Sequence, residues 1–163
     1  MGHSTQRLSL LVFWSLGAAF LLLNRAPDFS RERSASPPAS SLAFTVLLHA
    51  DYVSLGPSGF AAVVPPPVLA WRVLIEDPQA PKLFEQLLQE ATPAGQIYAM
   101  AGIFLLDTDA FGAALPRLRA QPAHLKWQDG CVLTDMTEEG AITWLQNGTV
   151  THRLLGAAAA VYR

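Results

Sequence analysis

Between Pro93 and Leu106 the chain reads PAGQIYAMAGIFLL, with no charged side chain and no polar face. A helix of this composition must be covered on most of its circumference, so the rest of the fold has to be arranged around it. Thr92-Pro93 marks its start, because Thr92 offers an N-cap oxygen and Pro93 takes the first helical position, where a missing N–H costs nothing. Asp107-Thr108-Asp109 closes it. At ~1.5 Å per residue the segment extends roughly 21 Å, too short for a ~30 Å hydrocarbon core. It is expected to be the central helix of a folded domain and not a membrane pass. Gly95, Ala99 and Gly102 fall at i, i+4 and i+7, a smooth strip that lets another helix approach closely, so Ala99 and Gly102 are expected to be buried against one. Tyr98 carries a hydroxyl that needs a partner if it is buried.

The flanking sequence supplies the cover. PPPVLAWRVLIED repeats Val68, Trp71 and Ile75 at helical spacing behind a proline start and predicts a helix ending near Asp77. PQAPKLFEQLLQEA places Ala80, Phe84, Leu87, Leu88 and Ala91 on one face and Lys82, Glu85, Gln86, Gln89 and Glu90 on the other, the pattern of an amphipathic helix lying on a core. A short helix is expected from Thr108, kinked or stopped near Pro116. LAFTVLLHADYVSL, from Leu42, suits strand or helix equally, and Gly56-Pro57-Ser58-Gly59 is a turn. That turn lacks the Lys-Ser/Thr ending of a phosphate loop. In TWLQNGTVTHRL, Asn147-Gly148 suits a two-residue hairpin turn, which would pair Leu145 with Val150 and Thr143 with His152. Cys131-Val132-Leu133 adds a candidate third strand. The fold class expected is α+β: an N-terminal hydrophobic helix, a central cluster of short helices, and a C-terminal antiparallel hairpin or small sheet.

A second apolar stretch, Leu8 to Leu23, is uncharged, preceded by Arg7 and followed by Asn24-Arg25. As a helix it would extend roughly 24 Å, between the length of a signal-peptide core and that of a full span. A cut after Gly17-Ala18-Ala19 would leave FLLLNR as a greasy new terminus, and Asn24-Arg25-Ala26 is followed by Pro27. Residues 1–23 are therefore expected to be an uncleaved signal anchor, with removal as a signal peptide, and secretion, the alternative. The arginine count slightly favours a cytoplasmic domain, but the short polar head before a greasy run is the layout of an export signal, which places the domain outside. Residues 24–41, rich in Ser, Pro and mixed charge, read as a solvated linker, and 42–163 as one compact domain.

Several chemistries are disfavoured. Cys131 is the one cysteine, so neither an internal disulfide nor a thiolate metal site is expected. From residue 35 onward 7 Lys and Arg stand against 11 Asp and Glu, a balance of minus 4 that argues against nucleic acid as a partner. No metal and no cofactor are expected, since His49, Asp51, His124 and His152 lie on distant segments and only the first two have ligand spacing. Asp107 and Asp109 look like caps, and Glu138-Glu139-Gly140 like a solvated turn. Asn147-Gly148-Thr149 is formally a glycosylation sequon. A thiolate nucleophile needs a base and the base an anchor, so Cys131 and His152, with Asp129 or Asp135 orienting the imidazole, are the weak catalytic candidates. Trp127 and Trp144 are the candidates for an exposed binding patch.

LFEQLLQEATPAGQIYAMAGIFLLDTDAF, two helices joined through Thr-Pro and closed by an Asp-rich turn, resembles one HEAT-type helical hairpin. The succession ADYVSLGPSGF, WRVLIEDPQAP, ATPAGQIYAMAGIFLLD and Gly130-Cys131 also looks like a family of uncharacterised bacterial cell-envelope proteins, over roughly Ala50 to Cys131. That resemblance implies a bacterial source and no activity. The expectation is a non-enzymatic protein tethered to the membrane through residues 8–23 that binds a protein partner or assists an envelope assembly. The alternative is an extracytoplasmic hydrolase using Cys131 and His152.

Overall fold

The computed structural model describes residues 38–119 and 124–156. The expected anchor segment, and with it the expected N-terminal helix, lies outside them. Among the described residues no helix is long and apolar enough to cross a membrane.

The elements run α1 (Ala39–Leu48), β1 (Val53–Ser54), α2 (Pro66–Ile75), α3 (Ala80–Glu90), α4 (Pro93–Leu106), α5 (Thr108–Arg119), β2 (Leu125–Asp129), β3 (Val132–Met136), α6 (Glu138–Gln146) and α7 (Thr149–Leu155). The fold is α+β, rich in helix with one small sheet. α4 is its axis: it touches every other helix and the first two strands, and Ala94 to Ile103 are buried without a break. Thr92 Oγ1 accepts from Gly95 N at 3.2 Å, as its N-cap position requires. The same hydroxyl donates to Ala50 O at 2.6 Å, so one side chain both starts α4 and holds the end of the α1 connection.

The small-residue strip serves two neighbours. At Gly95 a Cβ would run into the Leu47 carbonyl of α1, and at Gly102 into the Phe84 ring of α3. Ala99 and Gly102 are buried, as the strip implies. Tyr98 finds its partner on β1, where Ser54 N donates to its hydroxyl at 2.7 Å and the hydroxyl donates to Ser54 O at 3.4 Å. Burial pushes the Tyr98 phenol well above its usual range, so it stays neutral and keeps both bonds. Trp71 Nε1 donates to Tyr98 O and Thr151 Oγ1 to Ala101 O, tying α2 and α7 to the same helix.

Three expectations need correction. The expected hairpin at Asn147-Gly148 is a helix–turn–helix: α6 ends at Gln146, Gly148 takes φ +74°, and α7 begins at Thr149. A glycine at positive φ serves a helix C-terminus as well as a hairpin, and here Ala141, Ile142, Leu145, Val150 and Leu154 bury a helical stripe. Neither the Leu145–Val150 nor the Thr143–His152 strand pair forms. The hairpin lies earlier, between β2 and β3, with Gly130 (φ +60°) and Cys131 as its two loop residues. Only the first of them has positive φ, the pattern of a II′ turn. β1 pairs with β2 in parallel, so the sheet is mixed, in the order β1-β2-β3. α1 starts at Ala39, inside the stretch expected to be linker, while α5 ends at Arg119, three residues past Pro116.

Candidate functional site

The β2–β3 hairpin combines one buried face with an exposed outer strand. In β2, Leu125 and Trp127 point inward and Lys126 outward, the alternation of a strand with one buried face. Among the described residues β3 hydrogen-bonds to β2 alone, and from Val132 to Asp135 every residue is exposed. Val132 and Leu133 are 60% and 58% exposed, high for side chains of their size. The outward N–H and C=O groups of such an edge are a ready template for another strand.

Charged pairs brace the hairpin on both sides. Lys126 Nζ stands 2.6 Å from Asp135 Oδ1 across the strands. The hydrogen bond and then the charge of Lys126 hold the Asp135 carboxyl below its usual range. Arg153 of α7 meets Asp129 in a two-pronged pair, with Nη1 3.0 Å from Oδ2 and Nη2 2.6 Å from Oδ1. Around that pair Leu55, Gly56, Pro57, His152 and Gly156 form an open cleft whose one fixed acid is already matched by its one fixed base.

This arrangement decides where the sequence candidates stand. Cys131 is an exposed free thiol at the hairpin tip and does not line the cleft that holds His152. Among the described residues no hydrogen bond joins the two, and Asp129 and Asp135, the carboxylates considered as imidazole anchors, are bound by Arg153 and Lys126. Trp127 is 1% exposed and meets half-buried Trp144 edge-on, centroids 5.2 Å apart, so Trp127 is core and not part of a surface patch. Its buried Nε1 and the Oε1 of Gln128 have no partner among the described residues. Asp51 and His124 share a shallow cleft with Thr92 and Lys126, whereas His152 lines the other cleft and His49 follows the end of α1. No group of three metal-ligating side chains forms among the described residues. Asp107 caps α5, its Oδ1 accepting from Asp109 N and Ala110 N. Asn147 Oδ1 accepts from Thr149 N and so starts α7.

A strand at Cys131-Val132-Leu133 was expected and forms as β3, but its open edge and the Asp129–Arg153 brace were not read from the sequence. Lys126 between Leu125 and Trp127 was the available sign of a half-buried strand. Nothing local ties Asp129 to Arg153, 24 residues away. Comparison of the chain with protein-family models, with curated proteins and with solved structures finds no match.

Proposed function

We propose that this protein is a non-enzymatic binding module of the cell envelope, tethered through residues 8–23, which offers the outer edge of β3 to an extended segment of a protein partner. The observation that supports this reading is the combination on β3 of main-chain groups unpaired among the described residues with exposed Val132 and Leu133. Strand addition takes its affinity from main-chain hydrogen bonds and its specificity from alternate side chains, and both are present on that edge. The charged residues of the hairpin brace it and leave its edge free. In this reading the domain lies on the extracytoplasmic side.

The experiment is in-cell crosslinking from a photoreactive residue at Thr134, with Gln86 on α3 as control. The reading expects one discrete crosslinked species in the membrane fraction, lost on Leu133→Lys and retained on Cys131→Ser. Equal crosslinking from both positions, or undiminished crosslinking in Leu133→Lys, would refute the edge as the binding site. Protease added to intact spheroplasts should remove the domain and leave the tether; complete protection would reverse the orientation.

A further inference from the structure

Between Arg33 and Arg72 the chain carries one charged residue, Asp51. That stretch builds α1, β1, the turn that follows and most of α2, and it holds a concentration of exposed apolar side chains. Leu42 and Val46 stand one turn apart on α1, and Leu69 and Val73 one turn apart on α2, all of them exposed. The two helices pack side by side. On α1, Ser41, Phe44 and Thr45 line the groove toward Leu83 and Gln86 of α3. At about 100° per residue, Leu42 and Val46 fall on the opposite flank of α1, away from α3.

The turn ahead of α2 adds a wedge. Ser58 and Val63 bridge each other through paired main-chain bonds of 2.8 and 3.0 Å, closing a tight loop on Gly59-Phe60-Ala61-Ala62. Phe60 is completely exposed at its tip, and Val63 is 61% exposed at its base. Ala62 sits at φ 49°, a conformation unfavourable for a residue with a Cβ. The loop thus holds a large aromatic ring in solvent on a fixed and strained frame, which no core requirement explains.

We propose that this face, the exposed apolar sides of α1 and α2 with the Ser58–Val63 turn, lies on the surface of the lipid bilayer. The inference rests on the tether reading above and concerns a surface distinct from the β3 edge. The occupant follows from the chain's own layout. Residues 24–37 separate the apolar segment ending at Leu23 from Pro38, and fourteen residues reach at most about 50 Å in any conformation. α1 is therefore the first element delivered to the bilayer, and the effective concentration of lipid at that face is high. No fixed cation lies between α1 and Trp71, and half-buried Arg72 is turned to Leu154 O, so attachment is apolar: it needs no anionic lipid and does not weaken with salt. An aromatic ring on a loop tip and a row of aliphatic side chains match the interfacial zone in chemistry.

The test uses the full chain reconstituted in zwitterionic phosphatidylcholine, in the Cys131→Ser background. An environment-sensitive fluorophore is placed by Phe60→Cys, Val73→Cys or, as control, Gln86→Cys, and quenched by lipids that carry a spin label on the acyl chain. The inference expects blue-shifted emission and at least threefold stronger quenching at positions 60 and 73 than at 86, unchanged between 50 and 500 mM salt. Adding Leu42→Glu with Leu69→Glu should return position 73 to the value of the control while the chain still floats with the vesicles. Solvent-like emission at both test positions in floating protein overturns the docking and leaves the tether standing. Protein that fails to float overturns the tether reading, and the docking with it. Protection that vanishes in nanodiscs holding a single copy identifies a second copy as the occupant and also overturns the proposal.

Discussion

Replacing Gly102 by Ala tests the close approach on which the core depends. A Cβ at this position would lie 2.5 to 2.6 Å from three carbons of the Phe84 ring, where a relaxed carbon–carbon contact is about 3.5–4.0 Å. The ring has to retreat by about 1 Å. It is itself fully buried, with Trp71 beyond it at a centroid distance of 6.4 Å, so the retreat propagates. Overpacking of this kind costs about 1–3 kcal/mol, while the better helix propensity of Ala returns about 0.8–1 kcal/mol. The net expectation is a loss of about 1 kcal/mol, or roughly 3–6 °C in Tm. Phe84→Leu supplies the control, because it makes room and so lets Gly102→Ala become neutral or stabilising. The coupling between the two substitutions should reach about 1–3 kcal/mol in urea unfolding followed by Trp fluorescence. Additivity within about 0.5 kcal/mol, or a stabilisation of about 1 kcal/mol by Gly102→Ala alone, would refute the reasoning.

Tyr98→Phe removes the hydroxyl that satisfies both main-chain groups of buried Ser54; it should cost about 1–3 kcal/mol and speed amide exchange at Ser54, whereas unchanged exchange would show that β1 is held by its strand pairing alone. Gly95→Ala meets a main-chain carbonyl and not a movable ring, so it should destabilise more than Gly102→Ala, and no substitution at Leu47 should rescue it. Thr92→Ala loses the cap of α4 and the bond to Ala50 O, for about 1–2 kcal/mol by the same unfolding assay. For Asp135, whose folded pKa is depressed by Lys126, the stabilising contribution is present above the unfolded value of about 3.9 and fades as pH falls through the lower folded value; a carboxyl NMR titration should show that depression and its loss in Lys126→Met.

Which parts of the fold could be read from the chain follows from the range of the signals. α4 was legible to the residue because Thr92, Pro93 and Asp107 act within one turn of its ends. α2 was legible from its proline start and the spacing of Val68, Trp71 and Ile75, and α3 because its faces separate cleanly, Phe84 and Leu87 inward and Glu85 and Gln86 outward. α1 was ambiguous because AFTVLL is apolar and β-branched at once, and its helical state is decided by packing on α2. At Asn147-Gly148 one local signal fits two structures, and only the burial of Ile142, Leu145, Val150 and Leu154 selects the helices. The candidate site was the least legible part. The openness of β3 depends on which strand lies beside it, and the Asp129–Arg153 pair on a contact between distant segments.

The position of α7 sets the order in which the chain can become stable. Thr151 holds the main chain of α4 across 50 residues, and Leu154 O receives Arg72 Nε across 82. Until that last helix leaves the ribosome, one side of the apolar α4 has no cover. At about 5–20 residues per second the gap between Leu106 and Leu155 lasts roughly 2–10 s. During that interval a greasy 14-residue segment waits with part of its surface bare. Its shortness then matters: at roughly 21 Å α4 falls short of a ~30 Å hydrocarbon core and remains available to the helices that arrive later.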